Sequence, residues 1–219
     1  MKNISKEDYL SVIYKSADSN GEIKANQIAE KLNVSGAAVT DMLRKLSKEG
    51  FVDYKRYKGI KLTHSGEEYA RNMVRRHRIW EVFLHQIVGL PWDKVHGEAE
   101  NLEHSSSDEL IDRLDKMLDF PEFDPHGDPI PDRNGKMPNS NSGVPLSTIE
   151  PGNIVRVNRV PDFDSSFLQY ISKIGIELNK EITVLDTLEF DHSVSIRVDK
   201  KETSISSKVA ANIFVTEVK

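Results

Sequence analysis

Cysteine is absent from this 219-residue chain. Neither a disulfide framework nor a thiolate zinc site can be built, so any metal must be held by nitrogen and oxygen. Long apolar runs are missing too. No segment reads as a bilayer-spanning helix, and the opening "MKNISKEDYLSVIYKSADSN" lacks the uninterrupted apolar core of a secretory signal. These absences predict a cytoplasmic protein with no membrane partner.

What is present is globular. Hydrophobic residues make up 37% and charged ones 30%, enough apolar material for real cores. The length suits one large domain or two to three small ones. The net charge of −5 is unevenly spread: residues 1–75 hold 14 Lys and Arg against 10 Asp and Glu, while residues 76–219 hold 16 against 25. A basic front and an acidic remainder point to a polyanionic partner for the front alone.

Apolar spacing predicts a helix over residues 5–17, through Tyr9, Leu10, Ile13 and Tyr14. Two further helices flank a tight turn at residues 33–36, with Ser35 as N-cap and Gly50 as the stop. "FVDYKRYKGIKLT" alternates and turns near Lys58 and Gly59, a short hairpin. Helix, turn, helix, hairpin is the order of a winged helix-turn-helix. A long helix from Ser65, another over residues 92–104 and a third in "SSDELIDRLDKMLDF" follow. Residues 121–151 hold seven of the nine prolines and read as an extended connector. The short alternating segments after it suggest a small β-barrel. The predicted division is 1–64 for the winged helix, 65–135 for a helical domain, 136–148 for a linker and 149–219 for the barrel. The class is therefore α+β and multidomain.

On the helix after Ser35, the early positions Gly36, Ala37, Ala38, Thr40 and Asp41 are small or polar enough to reach base edges. Arg44, Lys45 and Lys48 further along, with Lys55, Arg56 and Lys58 on the hairpin, suit phosphate contacts. A single reading helix binds weakly, so the expected partners are a second copy of the chain and a palindromic double-stranded operator. The apolar face of residues 110–118, with part of the Trp80–Leu84 stripe, is the expected dimer seam.

The stretch "KVHGEAENLEH" crowds His96, Glu98, Glu100, Glu103 and His104 together. At about 100° per residue, His96, Glu100, Glu103 and His104 share a sector of about 100°, with Glu98 nearly opposite. A solvated helix face would interleave Lys or Arg, and none lies between His96 and His104. His77 and Glu81, four residues apart, project from one face of the preceding helix. These candidates exceed what one ion needs, so two ions per subunit are expected. The alternative is a metalloenzyme with paired ions on a helical bundle. The chain has neither the Glu plus Glu-x-x-His sets of di-iron bundles nor the His-Glu-x-x-His of zinc proteases, so no catalysis and no small-molecule substrate are expected.

"EDYLSVIY", the winged helix, "RRHRIWEVFL", "KVHGEAENLEH" and "PHGDPIP" run in order over most of residues 5–135. In these the chain resembles the diphtheria toxin repressor family of metal-dependent transcriptional regulators. The C-terminal segment resembles, more loosely, the SH3-like third domain of its longer members. The resemblance implies a winged-helix domain, a helical dimerisation domain and an SH3-like domain. It implies an ancillary metal site at His77, Glu81 and His96, joined by a third-domain ligand, Asp164 or else Asp162. It implies a primary site at Asp8, Glu100, Glu103 and His104. Iron-type members carry methionine where Asp8 stands and cysteine where Glu100 stands. Carboxylates at both places favour Mn²⁺, with Fe²⁺ as alternative and Zn²⁺ or Co²⁺ able to bind in vitro. Short manganese-type members have glutamate where Ser11 stands, so the three-domain members are the closer pattern. The implied function is metal-gated repression of metal-uptake genes.

Overall fold

The computed structural model describes residues 5–54, 59–139, 143–162 and 164–218. The chain divides into two compact units, Met1–Arg76 with Pro131–Lys136, and His77–Ile130 with Met137–Lys219.

In the first unit, α1 (Lys6–Ser16) is held at its start by a reciprocal cap. The Ser5 hydroxyl accepts from the backbone N–H groups of Glu7 and Asp8, and the Asp8 carboxylate accepts from the Ser5 N–H at 2.7 Å. Tyr9, Leu10 and Ile13 form its buried side. The second helix, α2 (Ala25–Leu32), ends on Asn33 in the left-handed region, and Ser35 caps α3 (Gly36–Lys48) by accepting from the Ala38 N–H at 3.2 Å. Ile28, Val39, Leu43 and Leu46 close the core between these helices. The strands β1 (Val52–Asp53) and β2 (Lys61–Leu62) pair antiparallel, Val52 opposite Leu62. The order is that of a winged helix-turn-helix. Lys55, Arg56 and Lys58, expected on the hairpin, lie outside the described residues.

The long helix α4 (His64–Gln86) contributes to both units. In the second unit it is followed by α5 (Trp92–Glu103) and α6 (Asp108–Met117), the latter capped by Ser107. Ile79, Val82, Ile111, Leu114 and Ile130 make one small core there. Leu110, Met117 and Phe120 remain exposed at 41%, 55% and 62%.

The C-terminal part is a six-stranded antiparallel sheet in the order β3-β8-β4-β5-β6-β7, an SH3-like arrangement. Its strands are β3 (Val144–Pro145), β4 (Ile154–Arg159), β5 (Glu181–Thr187), β6 (Val194–Val198), β7 (Lys201–Ile205) and β8 (Phe214–Glu217). Alternation turns Val155, Val157, Ile182, Val184, Ile196 and Val198 inward, where Leu168 and Ile171 of α7 (Ser165–Lys173) cover them. Each such side chain, fully buried, contributes about 1.5–3 kcal/mol relative to exposure. A short helix, α8 (Ser207–Ala210), precedes the last strand. Among the described residues, no helix is long and apolar enough to cross a membrane.

One expectation fails in an informative way. Residues 121–130 are a tight loop rather than an extended connector. The Asp124 Oδ1 accepts the backbone N–H groups of His126 at 2.8 Å and Asp128 at 3.0 Å, and Ile130 donates back to Glu122 at 2.8 Å. The loop is fastened to the end of β4, because Val160 donates to the His126 carbonyl at 2.9 Å. Gly127 has φ +89°, and a Cβ there would lie 2.0 Å from the Asn158 carbonyl oxygen. Only glycine fits that approach.

Candidate metal centre

Four segments of the second unit converge on Glu81, which is wholly buried. The last turns of α4 supply His77 and Glu81 on one face, because residues four apart stack on a helix. From α5 comes His96, and from the segment between β4 and α7 comes Asp162. His77 Nε2 lies 3.0 Å from Glu81 Oε1 and 3.0 Å from His96 Nδ1. His96 Nδ1 also sits 3.2 Å from Glu81 Oε1 and 3.1 Å from Asp162 Oδ2. Two imidazole nitrogens and two carboxylate oxygens thus meet at one point, a donor set suited to a divalent cation.

Behind Glu81 lies a second set. Its other oxygen, Oε2, faces Asp124 Oδ2 and His126 Nδ1 from the 121–130 loop, the imidazole nitrogen at 3.8 Å. All three residues are buried, and none of these three atoms has a hydrogen-bond partner. Leaving such atoms unsatisfied in a protein interior costs about 1–3 kcal/mol each. Brought together from α4 and the 121–130 loop, the three form a second donor set of the kind that can hold a cation. Asp124 Oδ2 has Arg78 Nε at 3.4 Å, close enough for charge attraction but not aligned as a hydrogen bond. Arg78 also donates to the Pro129 carbonyl, which bolts the loop to α4.

The electrostatics follow from burial and opposed charge. Burial alone would lower the His96 imidazole, but Asp162 and Glu81 outweigh it and raise it to about 10. At His126 the same contest, with Glu81 and Asp124 prevailing, ends at about 9. Burial pushes the Asp124 carboxyl up to about 7, with Glu81 and Asp128 adding and Arg78 opposing. For Glu81, burial pushes up, yet His77 and the other imidazoles hold it well below the usual carboxylate range.

His77, Glu81 and His96 of the expected residues are brought together directly. Glu100 Oε1 is 3.7 Å from His96 Nε2. Glu103 is buried with Oε2 at 2.5 Å from His77 Nδ1, so it orients that ring, and its Oε1 is 3.5 Å from His104 Nε2. Glu98 is exposed, as the helical wheel requires. Asp8 belongs to the first unit, where it closes the α1 cap. Asp164 is displaced from the role expected of it. Its carboxylate caps α7, accepting the Ser166 and Phe167 N–H groups at 2.9 and 3.2 Å, and it is exposed. The third-domain carboxylate at the cluster is Asp162. Asp124 and His126, which could join a metal site, lie outside the residues expected from the sequence. Their signal in the sequence is "DPHG", where proline and glycine obscure two donors flanking Pro125.

On the first unit, Ser35, Gly36, Ala37, Ala38, Asp41, Arg44, Lys45 and Lys48 are all exposed along α3. The Thr40 hydroxyl bonds to the Gly36 carbonyl at 2.9 Å, and Arg44 pairs with Asp41 at 3.3 Å. The helix thus satisfies those groups itself.

Comparison with known proteins agrees at each level. The N-terminal DNA-binding domain of iron-dependent repressors matches residues 3–60, their metal-binding and dimerisation domain matches residues 63–132, and the FeoA domain matches residues 144–217. The transcriptional regulator MntR of Oceanobacillus iheyensis is 35% identical over 120 residues, spanning 55% of this chain and 81% of that protein. A manganese-dependent transcriptional repressor solved in complex with manganese is 36% identical, with TM-score 0.88 over 98% of this chain and 100% of the other. The repressor ScaR solved with bound Cd²⁺ is 33% identical, with TM-score 0.83 over 98% and 100%. With helix-turn-helix, buried donor cluster and SH3-like sheet in one chain, the protein belongs to the diphtheria toxin repressor family, whose members are metal-dependent, DNA-binding transcriptional regulators and not enzymes.

Proposed function

We propose that the chain represses metal-uptake genes when Mn²⁺ is plentiful, acting as a homodimer on a palindromic operator with two ions per subunit. The observation that carries this is the trio of buried, unbonded donor atoms on Glu81, Asp124 and His126 beside the His77–Glu81–His96–Asp162 cluster. Every donor is oxygen or nitrogen, which suits Mn²⁺, with Fe²⁺ the second candidate. One ion takes its ligands from the groups around Glu81. The other takes Asp8, Glu100, Glu103 and His104, as the resemblance implies. A bound cation supplies the positive charge that lets these carboxylates coexist.

The chain's own residues then do the regulatory work. Asp8 sits on α1 of the reading domain, and Glu100, Glu103 and His104 sit in the dimerising half. An ion held by these residues would restrain the reading domain and favour presentation of both α3 helices to DNA. Metal therefore tightens DNA binding, and DNA tightens metal binding by the same factor. A gel-shift assay of the chain on its own promoter DNA, with and without a metal panel, tests the reading. Retardation only with Mn²⁺ or Fe²⁺ is expected. Equal affinity in chelator and in Mn²⁺ would overturn metal gating.

A further inference from the structure

Trp92 is engaged at both ends. It opens α5, and its backbone carbonyl accepts a hydrogen bond from His126 Nε2 at 2.8 Å. A carbonyl only accepts, so Nε2 must carry a proton and Nδ1 is the nitrogen left to offer a lone pair. The indole lies nearly parallel to the His126 ring, 6.0 Å between centroids and 15° between planes. Its Nε1–H donates to Ser172 Oγ of α7 at 2.6 Å, and Gln169 of α7 donates to the neighbouring Asp93 at 2.9 Å. The indole also packs against the core of the C-terminal sheet.

We propose that Trp92 is the positioning residue of the metal centre: seated on α7 by Ser172, it fixes the tautomer and orientation of His126 so that Nδ1 faces Glu81 and Asp124. The inference rests on the reading of His126 as a ligand. An imidazole free to rotate would expose either nitrogen, and Nδ1 is the one within reach of Glu81 Oε2. A side chain on α7 thereby governs a ligand atom on a different loop. The C-terminal sheet domain accordingly acts on the centre twice, through the Asp162 carboxylate and through the seat it provides for Trp92.

The test uses the full chain. Mn²⁺ affinity is measured by calorimetric titration for the unmodified protein and for Trp92→Phe, Trp92→Ala, Ser172→Ala and His126→Ala. Metal-free unfolding temperature is recorded for each, and long-range ¹H–¹⁵N imidazole spectra are recorded with diamagnetic Cd²⁺ bound. Positioning partners of metal-bound imidazoles typically contribute about 10- to 100-fold to affinity. Trp92→Ala keeps the carbonyl but unseats it from α7, so it should lose up to that much and Ser172→Ala a smaller factor, and the His126 proton should reside on Nε2 in the unmodified chain. Unchanged Mn²⁺ affinity in both Trp92→Ala and Ser172→Ala would overturn the proposal, as would a proton on Nδ1. If Trp92→Ala fails to fold, Trp92→Phe and Ser172→Ala decide: Ser172→Ala removes only the acceptor of the indole N–H, Trp92→Phe removes that N–H and shrinks the ring, and both keep the residue-92 carbonyl that accepts from His126. If His126→Ala binds Mn²⁺ like the unmodified chain, the ligand reading has failed and Trp92 falls with it. Loss in His126→Ala alone sinks only the role of Trp92.

Discussion

Glu81 has no exposed surface, and its two oxygens face different partners: Oε1 meets His77 and His96, Oε2 meets His126. A glutamine there keeps the shape and removes the charge. Glu81→Gln should weaken Mn²⁺ binding by about 100-fold or more, at or beyond the upper end of what a supporting partner contributes. Calorimetric titration of the folded variant checks this, and an unchanged affinity would remove Glu81 from the ligands. The neighbouring imidazoles give a pH signature. His126 is raised to about 9 and His96 to about 10, above the unfolded value near 6.5. In the metal-free chain their protonation therefore stabilises the fold fully below pH about 6.5 and ceases to do so as pH rises through about 9 to 10. Metal must displace those protons, so Mn²⁺ affinity should climb by up to about tenfold per pH unit per proton released as pH rises toward 9. Buffer-dependent heats in calorimetry count the protons, and a flat profile would contradict the assignment.

At the scale of elements, the helices were legible because burial repeats with their period. Tyr9, Leu10 and Ile13 reveal a face from sequence alone, whereas the stripe through Trp80, Phe83 and Leu84 lies beside the α4 face that Ile79 and Val82 bury. The strands were legible for the same reason, as Val155 and Val157 or Ile182 and Val184 alternate. Ligands four apart on α4 inherited that legibility, and so did those on α5. The 121–130 loop did not. Its shape is set by an Asp124 carboxylate folded onto its own backbone and by Val160 and Asn158, some thirty residues later, and no local period encodes such a pairing. The same difficulty separated Asp162 from Asp164: two acids two residues apart, one of which begins a helix. Gly127→Ala probes the loop. With φ +89° and a Cβ only 2.0 Å from a backbone oxygen, the substitution should lower stability by about 1–3 kcal/mol. Since His126 adjoins it, metal affinity should fall as well. Urea denaturation read alongside Mn²⁺ titration measures both, and wild-type values in each would show that the loop yields without disturbing the centre.

For the whole molecule, the proposed function links dimerisation to DNA binding, because each subunit carries one reading helix. The outer side of α6 offers Leu110 and Met117, seven residues apart and both exposed, with Phe120 just beyond. On the proposed seam, these apolar groups would gain by meeting their counterparts on a second copy. Met117→Asp should shift the protein toward monomer in sedimentation at micromolar concentration and lower operator affinity by at least about tenfold. Mn²⁺ binding by the Glu81 groups should survive. A variant that remains dimeric would move the seam elsewhere.

The cluster at Glu81 also carries an order in time. His77, His96 and His126 leave the ribosome well before Asp162, which lies beyond the proline-rich stretch. A nascent polypeptide can present its reading helix long before the last carboxylate of the cluster has been translated. Products cut short by a stop codon or a protease within residues 136–148 would keep a DNA-binding head while lacking both Asp162 and the α7 seat of Trp92. Such fragments would keep Asp8, Glu100, Glu103 and His104, so they would answer the ion through that set alone, without the cluster at Glu81 being complete.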